Sequence, residues 1–247
     1  MFAIFKKELR SYFISPLGYV YIGVFLAVSA LIFASTTWMQ GSYNTSSYYQ
    51  YLLFTFIVLI PLLTMRSFSE ERKTRTEQLL LTAPVTITGM VLGKFFAALT
   101  LFASGVVVSC INYFPLISLA LNEQASSTAG THIGPIGGQV LGCLIGVLLI
   151  GAAFIAIGMF ISSLCETQLA AAVISVSALA GLSLIGILTA SISSEAVRNV
   201  LNWISVLSRF DNFALGLFDP AALLYYVSIA GVFIFLTVRI YEKRRWG

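Results

Sequence analysis

The sequence has few charged residues: Asp, Glu, Lys and Arg make up 10% of its 247 positions. Soluble domains carry about 25%, and a chain with so few polar groups could not cover a water-facing surface of this size. Hydrophobic residues reach 58%, and the mean hydropathy is +0.93. These values exclude an ordinary soluble protein and predict one whose surface is solvated by lipid.

Side chains that build catalytic and metal sites are equally scarce. His132 is the single histidine, so neither a histidine-based triad nor a histidine metal site can be assembled. Cys110, Cys143 and Cys165 lack metal-ligand spacing, and their odd number argues against a purely internal disulfide framework. A phosphate-binding loop is missing too, because the nearest match, residues 89–95, is one residue short and lacks the final hydroxyl. We therefore predict no catalytic residue, no metal and no cofactor on this chain.

Long apolar runs predict an all-α polytopic membrane protein with six transmembrane helices, since one helical crossing takes about 20 apolar residues. The predicted spans are residues 17–38, 51–65, 90–121, 136–164, 169–190 and 221–240. Because proline interrupts helical hydrogen bonds, we predict that Pro61 lies near the end of the second span and that Pro115 kinks or ends the third.

Two segments are predicted to lie in the membrane interface instead of crossing it. In residues 1–16, apolar side chains recur at helical spacing between the cations Lys6, Lys7 and Arg10, which is typical of an interfacial amphipathic helix. A signal peptide is the alternative, but the apolar run that follows is too long for one. Helical spacing also recurs within residues 191–220, which predicts a re-entrant or interfacial helix on the extracytoplasmic side; a soluble surface helix is the alternative.

The distribution of Lys and Arg predicts the orientation. With the N-terminus inside, the extracytoplasmic segments hold only Arg198 and Arg209 of the 14 Lys and Arg residues. The cytoplasmic segments hold the others: Lys6, Lys7, Arg10, Arg66, Arg72, Lys73, Arg75, Lys94, Arg239, Lys243, Arg244 and Arg245. Positive residues favour the cytoplasmic side, so both termini are predicted there. The net charge of +4 lies in short clusters between apolar runs, which argues against nucleic-acid binding.

The most charged stretch, residues 66–89, lies between the second and third spans and carries local helix signals. They are two capping-box pairs and one i, i+4 ion pair: Ser67 with Glu70, Thr74 with Glu77, and Glu71 with Arg75. The pattern predicts one or two short helices on the cytoplasmic side. Two interpretations fit it equally well: a docking element that a cytoplasmic partner pushes or pulls, and a solvated loop whose cations set the topology.

The same stretch resembles a signature of type II ABC exporter permeases, and within them of the gliding-motility branch. The resemblance is carried by FSEER at residues 68–72, TEQLLLTAPV at 76–85 and VLGKF at 91–95. SRFDNF at 208–213, FLTVR at 235–239 and RRW at 244–246 extend it over nearly the whole chain. One departure is Ala214-Leu215-Gly216, where that branch would place an arginine before the glycine.

The resemblance implies one permease domain over residues 1–247, in the cytoplasmic membrane of a bacterium, with residues 66–89 as its coupling element. It implies a separate ABC ATPase that binds ATP and Mg²⁺, a second permease subunit, identical or different, and a larger companion membrane protein as a further partner. The residues expected to contact the ATPase are Glu70, Glu71, Arg72, Arg75 and Glu77, with Lys6, Lys7 and Arg10 as a second surface.

Two further patterns concern helix packing and a translocation path. Small residues recur at every fourth position of the fourth span: Gly134, Gly138, Gly142 and Gly146. They allow close helix approach, either inside one subunit, which we favour, or at a dimer interface. Four polar residues lie in or near spans: Ser109, Asn112, Gln139 and Ser175. They fit a substrate path and helix–helix hydrogen bonds equally well.

Two other functions are alternatives to the ATP-driven exporter. One is a non-transporting membrane anchor or scaffold of an ATPase-driven motility or envelope-assembly complex. The other is a channel or secondary carrier that works without ATP. The sequence disfavours the carrier, because no pair of acidic residues lies inside a predicted span to relay protons.

Overall fold

The computed structural model describes residues 1–39, 43, 45–73, 86–126, 137–189, 195, 198, 201 and 205–246. Within these residues the regular structure is helical, without a strand. Six of the described helices are long and apolar enough to cross a membrane. They are Pro16–Trp38, Ser46–Lys73, Ile87–Ser118, Gly137–Leu164, Gln168–Gly186 and Pro220–Arg245. The prediction of an all-α polytopic membrane protein is therefore confirmed.

A sharp elbow joins the first two helices, α1 (Phe2–Ile14) and α2 (Pro16–Phe33). Ser15 between them is extended, with φ −77° and ψ 148°, because a residue before proline is sterically disfavoured in the helical region. Pro16 occupies the first turn of α2, where its missing N–H costs no helical hydrogen bond. A π-helical turn, Ala34–Trp38, completes the first span.

The second span is longer than the sequence predicted. α3 (Ser46–Lys73) continues through Pro61, which lies inside the helix and not near its end. The predicted capping box of Ser67 and Glu70 was also wrong, because both residues lie inside α3 and start no new helix. Glu70 instead accepts two hydrogen bonds from Arg66, one turn earlier, and this i, i+4 pair supports the extra helical turns.

The third span changes helix type shortly before Pro115. α4 (Ile87–Ser109) is followed by a 3₁₀ turn, Cys110–Asn112, and by α5 (Tyr113–Ser126). Pro115 cannot donate to the carbonyl of Ile111, four residues earlier, and its ring crowds that carbonyl. The helix therefore tightens around Ile111 and resumes beyond it. Pro115 does not end the helix, and a kink in its axis stays a prediction.

α6 (Gly137–Leu164) is the central helix of the bundle. α7 (Gln168–Thr189) follows it after a short turn, and α9 (Pro220–Trp246) packs along it. α6 also contacts α3, α4 and the short helix α8 (Phe210–Ala214). Because other helices surround it, most of its residues from 143 to 163 are buried, and the core of the protein lies around α6.

Before α9, the short helix α8 packs against the N-terminal half of α6. The helical pattern at residues 197–207 falls mostly outside the described residues, so the re-entrant or interfacial helix stays a prediction. After α8, Gly216 turns the chain with φ +78°, a conformation that favours glycine. Asp219 then accepts hydrogen bonds from the N–H groups of Ala221 and Ala222 and caps the start of α9.

Candidate functional site

A buried lysine joins three helices where α3 ends and α4 begins. The side chain of Lys94, in α4, is 3% exposed. Its ammonium group donates to Glu8 Oε1 of α1 at 3.1 Å and to Glu71 Oε1 of α3 at 2.8 Å. It also donates to the Ser67 carbonyl of α3 at 2.8 Å. All three donors of the ammonium group are thus used. We call Lys94, Glu8, Glu71 and the Ser67 carbonyl the Lys94 cluster.

The charges of the Lys94 cluster can be buried because they are paired. Removing a charge from water costs several kcal/mol, which attraction offsets only when geometry is good and the hydrogen bonds are satisfied. Lys94 Nζ also lies 5.2 Å from the centre of the Phe68 ring, a favourable cation–π contact. Lys7 Nζ lies 3.7 Å from Glu8 Oε1, so a second cation is close to the two carboxylates.

Two glycines allow α1 to approach this cluster. A β-carbon at Gly93, next to Lys94, would lie 3.2 Å from Ile4 Cβ and from the Met1 carbonyl oxygen. At the elbow, a β-carbon at Gly18 would overlap the backbone carbonyl of Tyr12. Backbone carbonyls cannot rotate away as a flexible side chain can. Because neither glycine has a side chain, α1 can lie close enough to α2 and α4 for Glu8 to contact Lys94.

Two arginines cap the C-terminal end of α6 at the same end of the bundle. Arg72 of α3 donates to the Leu164 carbonyl at 3.1 Å and pairs with Glu166 at 3.2 Å. Arg244 of α9 donates to the Ser163 carbonyl at 2.8 Å. The last carbonyls of a helix lack intrahelical partners and carry partial negative charge, so guanidinium groups stabilise them. Both α3 and α9 are thereby attached to the turn between α6 and α7.

The structure places the predicted ATPase-contact residues in different surroundings. The side chains of Glu70 and Arg72 on α3 are 39% and 29% exposed. Glu71 is 15% exposed, because it contacts Lys94. The second predicted surface, on α1, is exposed: Lys6, Lys7 and Arg10. Arg75 and Glu77 lie outside the described residues.

Two glycines of the predicted small-residue stripe contact α8. A β-carbon at Gly142 would lie 2.9 Å from the Phe213 carbonyl oxygen, and one at Gly146 would lie 2.9 Å from the Phe210 ring. Both contacts occur within one subunit. They bring α8 against the N-terminal half of α6.

Gly142 and Gly138 offer a matched pair of substitutions. Gly142→Ala should lower the free energy of unfolding by about 1–3 kcal/mol, because its methyl group must displace the backbone of α8. Gly138 has nothing within 4 Å of its β-position, so Gly138→Ala should be neutral or should stabilise by about 0.5–1 kcal/mol. Thermal unfolding in detergent micelles measures both variants, and equal effects would contradict the close approach of α6 and α8. Gly134, the first glycine of the stripe, lies outside the described residues.

Gln139 belongs to the α6–α8 contact as well. Its Nε2 donates to the Ala214 carbonyl at 2.8 Å and to Ser46 Oγ of α3 at 2.6 Å. Ser46 Oγ in turn donates to the Ala214 carbonyl at 3.2 Å. These bonds link the end of α8 to α6 and α3.

The other three candidates for a path have hydrogen-bond surroundings that differ from those of Gln139. Asn112 Nδ2 donates to Ser29 Oγ of α2 at 3.2 Å. Ser109 Oγ donates to the Val106 carbonyl of its own helix at 2.7 Å. Ser175 is buried in α7, and its hydroxyl has no hydrogen-bond partner among the described residues. These hydrogen bonds account for Asn112 and Ser109 as packing contacts, and a path lined by these residues stays a prediction.

Lys94 and Glu8 were not among the predicted site residues, although the sequence carries a signal for Lys94. It stands inside the third predicted span between Gly93 and Phe95. An ionisable residue in such a position is costly unless it is paired. Its partner Glu8 lies 86 positions earlier in the chain, and no local pattern connects the two.

Comparison with known protein families agrees with this architecture. A family model described as ABC-2 family transporter protein matches residues 14–240, most of the chain and nearly all of its membrane-spanning part. No curated protein matches the chain. The predicted relationship to ABC transporter permeases is thus confirmed, while the gliding-motility branch stays a prediction. Lys94, Glu71 and Arg72 all lie within the matched range. The chain, whose described residues include six helices of membrane-spanning length, belongs to the ABC-2 family of transporter proteins, as a multi-pass membrane component of an ABC transporter.

Proposed function

We propose that this chain is the permease subunit of an ATP-driven exporter and that residues 66–89 couple it to a separate ABC ATPase. Two permease subunits, identical or different, form the translocation path between them. ATP and Mg²⁺ bind to the ATPase, and this chain binds no cofactor of its own. The subunit lies in the cytoplasmic membrane of a bacterium, with both termini in the cytoplasm.

The main support for this proposal is that α3 and α4, the helices on either side of residues 74–85, are both attached to other helices of the bundle. α3 reaches Lys73 as a continuous helix, and α4 begins at Ile87. The Lys94 cluster joins both helices to α1, and Arg72 joins α3 to the end of α6. Packed helices shift as units with discrete arrangements. A partner that displaces residues 74–85 would therefore move α1, α3, α4 and α6 together.

The charged residues of the coupling element differ in side-chain exposure, and we assign them two different roles. Glu70 and Arg72 have partly exposed side chains, and we assign them to the ATPase contact together with Arg75 and Glu77. Glu71 has its carboxylate against Lys94, and its role is to position α3. A change at Glu71 would then act through the orientation of α3 and not through a lost contact with the ATPase.

Co-purification with its ABC ATPase tests the contact. Exchanging the two charges of a partly exposed intrahelical pair, Arg66→Glu with Glu70→Arg, keeps that pair but reverses the charges offered to a partner. We expect the amount of bound ATPase to fall roughly tenfold or more, because like charges at an interface cost several kcal/mol. The control exchanges a more exposed intrahelical pair, Arg239 with Glu242 on α9, and should retain the ATPase.

Three results would contradict the proposal: ATP hydrolysis by the purified chain alone, no associated ATPase, or equal binding by both exchanged variants. Reconstitution of the permease–ATPase complex in liposomes distinguishes an exporter from the remaining alternative, a non-transporting anchor. An exporter moves solute when ATP is supplied, whereas an ATPase that binds and hydrolyses ATP without solute movement would indicate a non-transporting anchor.

A further inference from the structure

The outward face of α1 carries cations and no acidic residue. Half-buried residues recur along the side of the helix that faces the bundle: Ile4, Phe5, Glu8, Leu9 and Tyr12. Lys6, Lys7 and Arg10 are exposed on the other side. Glu8 is the one acidic residue in the sequence of α1, and its carboxylate is held inward by Lys94 at 3.1 Å. The inward turn of Glu8 therefore leaves only positive charge on the outward face.

These cations have space around them. Within the described part of the chain, Lys6 and Arg10 form no ion pair, and the side chain of Lys7, 3.7 Å from Glu8, is 64% exposed. The three cations lie on one open side of α1, together with Ser11 and Ile14. Lys and Arg side chains grouped in this way fit an anion with several oxygen acceptors, such as a phosphate group.

The elbow determines the depth of α1 in the membrane. Ser15 alone separates α1 from the first span, so α1 lies where that span enters the headgroup layer. Phe2 is 77% exposed and Phe13 is 38% exposed. They are about three turns apart, so both lie on the same side of α1. Exposed aromatic rings are unfavourable in water but are stabilised when they insert among acyl chains.

We propose that the outward face of α1 binds the phosphate groups of anionic phospholipids. Lys6, Lys7 and Arg10 would contact the phosphate oxygens, while Phe2 and Phe13 insert beside the acyl chains. A docked ATPase is the competing occupant of this face. A lipid surface fits the face better, because it offers acyl chains to the exposed parts of Phe2 and Phe13 as well as phosphate oxygens to the cations. The proposal goes beyond the proposed function and does not depend on it, since a lipid can bind whether or not an ATPase is coupled.

Native mass spectrometry of the purified full-length chain tests the proposal. The protein is equilibrated with equal amounts of phosphatidylglycerol and phosphatidylcholine, and the ratio of retained lipids is measured. The variant Lys6→Gln/Lys7→Gln/Arg10→Gln should lower the preference for phosphatidylglycerol roughly tenfold to one hundredfold, because each cation adds to attraction by an anionic surface. High salt should reduce the preference of the unaltered chain in the same direction.

The control Arg239→Gln/Lys243→Gln/Arg245→Gln removes the same formal charge from α9 and should retain the preference. If thermal unfolding shows that the α1 variant is not folded, the single variants Lys6→Gln and Arg10→Gln replace it, each with a several-fold decrease expected. An unchanged lipid ratio overturns the proposal. Loss of ATPase binding with unchanged lipid binding would show that the face docks protein, and displacement by inorganic phosphate alone would show that no lipid is needed.

Discussion

Replacing Lys94 with methionine should lower the free energy of unfolding by about 3–5 kcal/mol, the range found when one partner of a buried ion pair is removed. Methionine retains most of the volume of lysine, so the loss is one of charge and not of packing. Glu8 and Glu71 would then face each other without the ammonium group that lies 3.1 Å and 2.8 Å from them. Thermal unfolding of the purified variant in detergent micelles measures the effect.

Two further variants isolate the cause. Lys7→Met removes a cation that is also near Glu8 but is 64% exposed, and it should cost less than about 1 kcal/mol. Converting the whole cluster, as Lys94→Met/Glu8→Leu/Glu71→Leu, should recover most of the lost stability, because a fully apolar replacement leaves no unpaired charge. If Lys94→Met unfolds at the same temperature as Lys7→Met, the Lys94 cluster does not hold α1, α3 and α4 together.

Gly18→Ala should destabilise the elbow between α1 and α2 by about 1–3 kcal/mol, the usual cost of overpacking. The new methyl group would overlap the Tyr12 backbone carbonyl. Only a shift of α1 away from α2 relieves that overlap, and this shift draws Glu8 away from Lys94. Gly23 lies on the same helix with nothing within 4 Å of its β-position. Gly23→Ala is therefore the control and should be neutral or slightly stabilising in the same unfolding measurement.

The two large effects should not be additive. Gly18→Ala and Lys94→Met both act on the attachment of α1, so a chain carrying both should lose less stability than the sum of the single losses. Variants that share a structural element show interaction energies of about 0.5–3 kcal/mol, whereas independent sites add. Strict additivity would mean that the elbow and the Lys94 cluster stabilise α1 separately.

Much of the fold could be predicted because span length and proline sterics are properties of neighbouring residues. The fourth span, predicted over 136–164, corresponds to α6 at Gly137–Leu164. The break at Pro16 follows from the space that its ring occupies next to Ser15, and the one before Pro115 follows from the hydrogen bond that the ring removes. None of these features depends on a distant part of the chain.

The end of α3 could not be predicted in this way. The charged run that begins at Arg66 resembles a loop between two spans, yet the helix continues to Lys73. Charged residues of this run bind to other helices: Glu71 pairs with Lys94 of α4, and Arg72 donates to the end of α6. Whether a charged run continues as a helix beside a membrane depends on such partners, and a local pattern does not contain them.

By itself the sequence determined the helical class, the number of spans and the breaks at Pro16 and before Pro115, since hydropathy and backbone sterics act over a few residues. Only the tertiary structure decided which charges are buried and which remain available to a partner. Adjacent residues on a helix point about 100° apart, so Glu71 faces Lys94 while Glu70 remains partly exposed. That choice depends on how α1 and α4 pack against α3, through contacts between residues far apart in the chain.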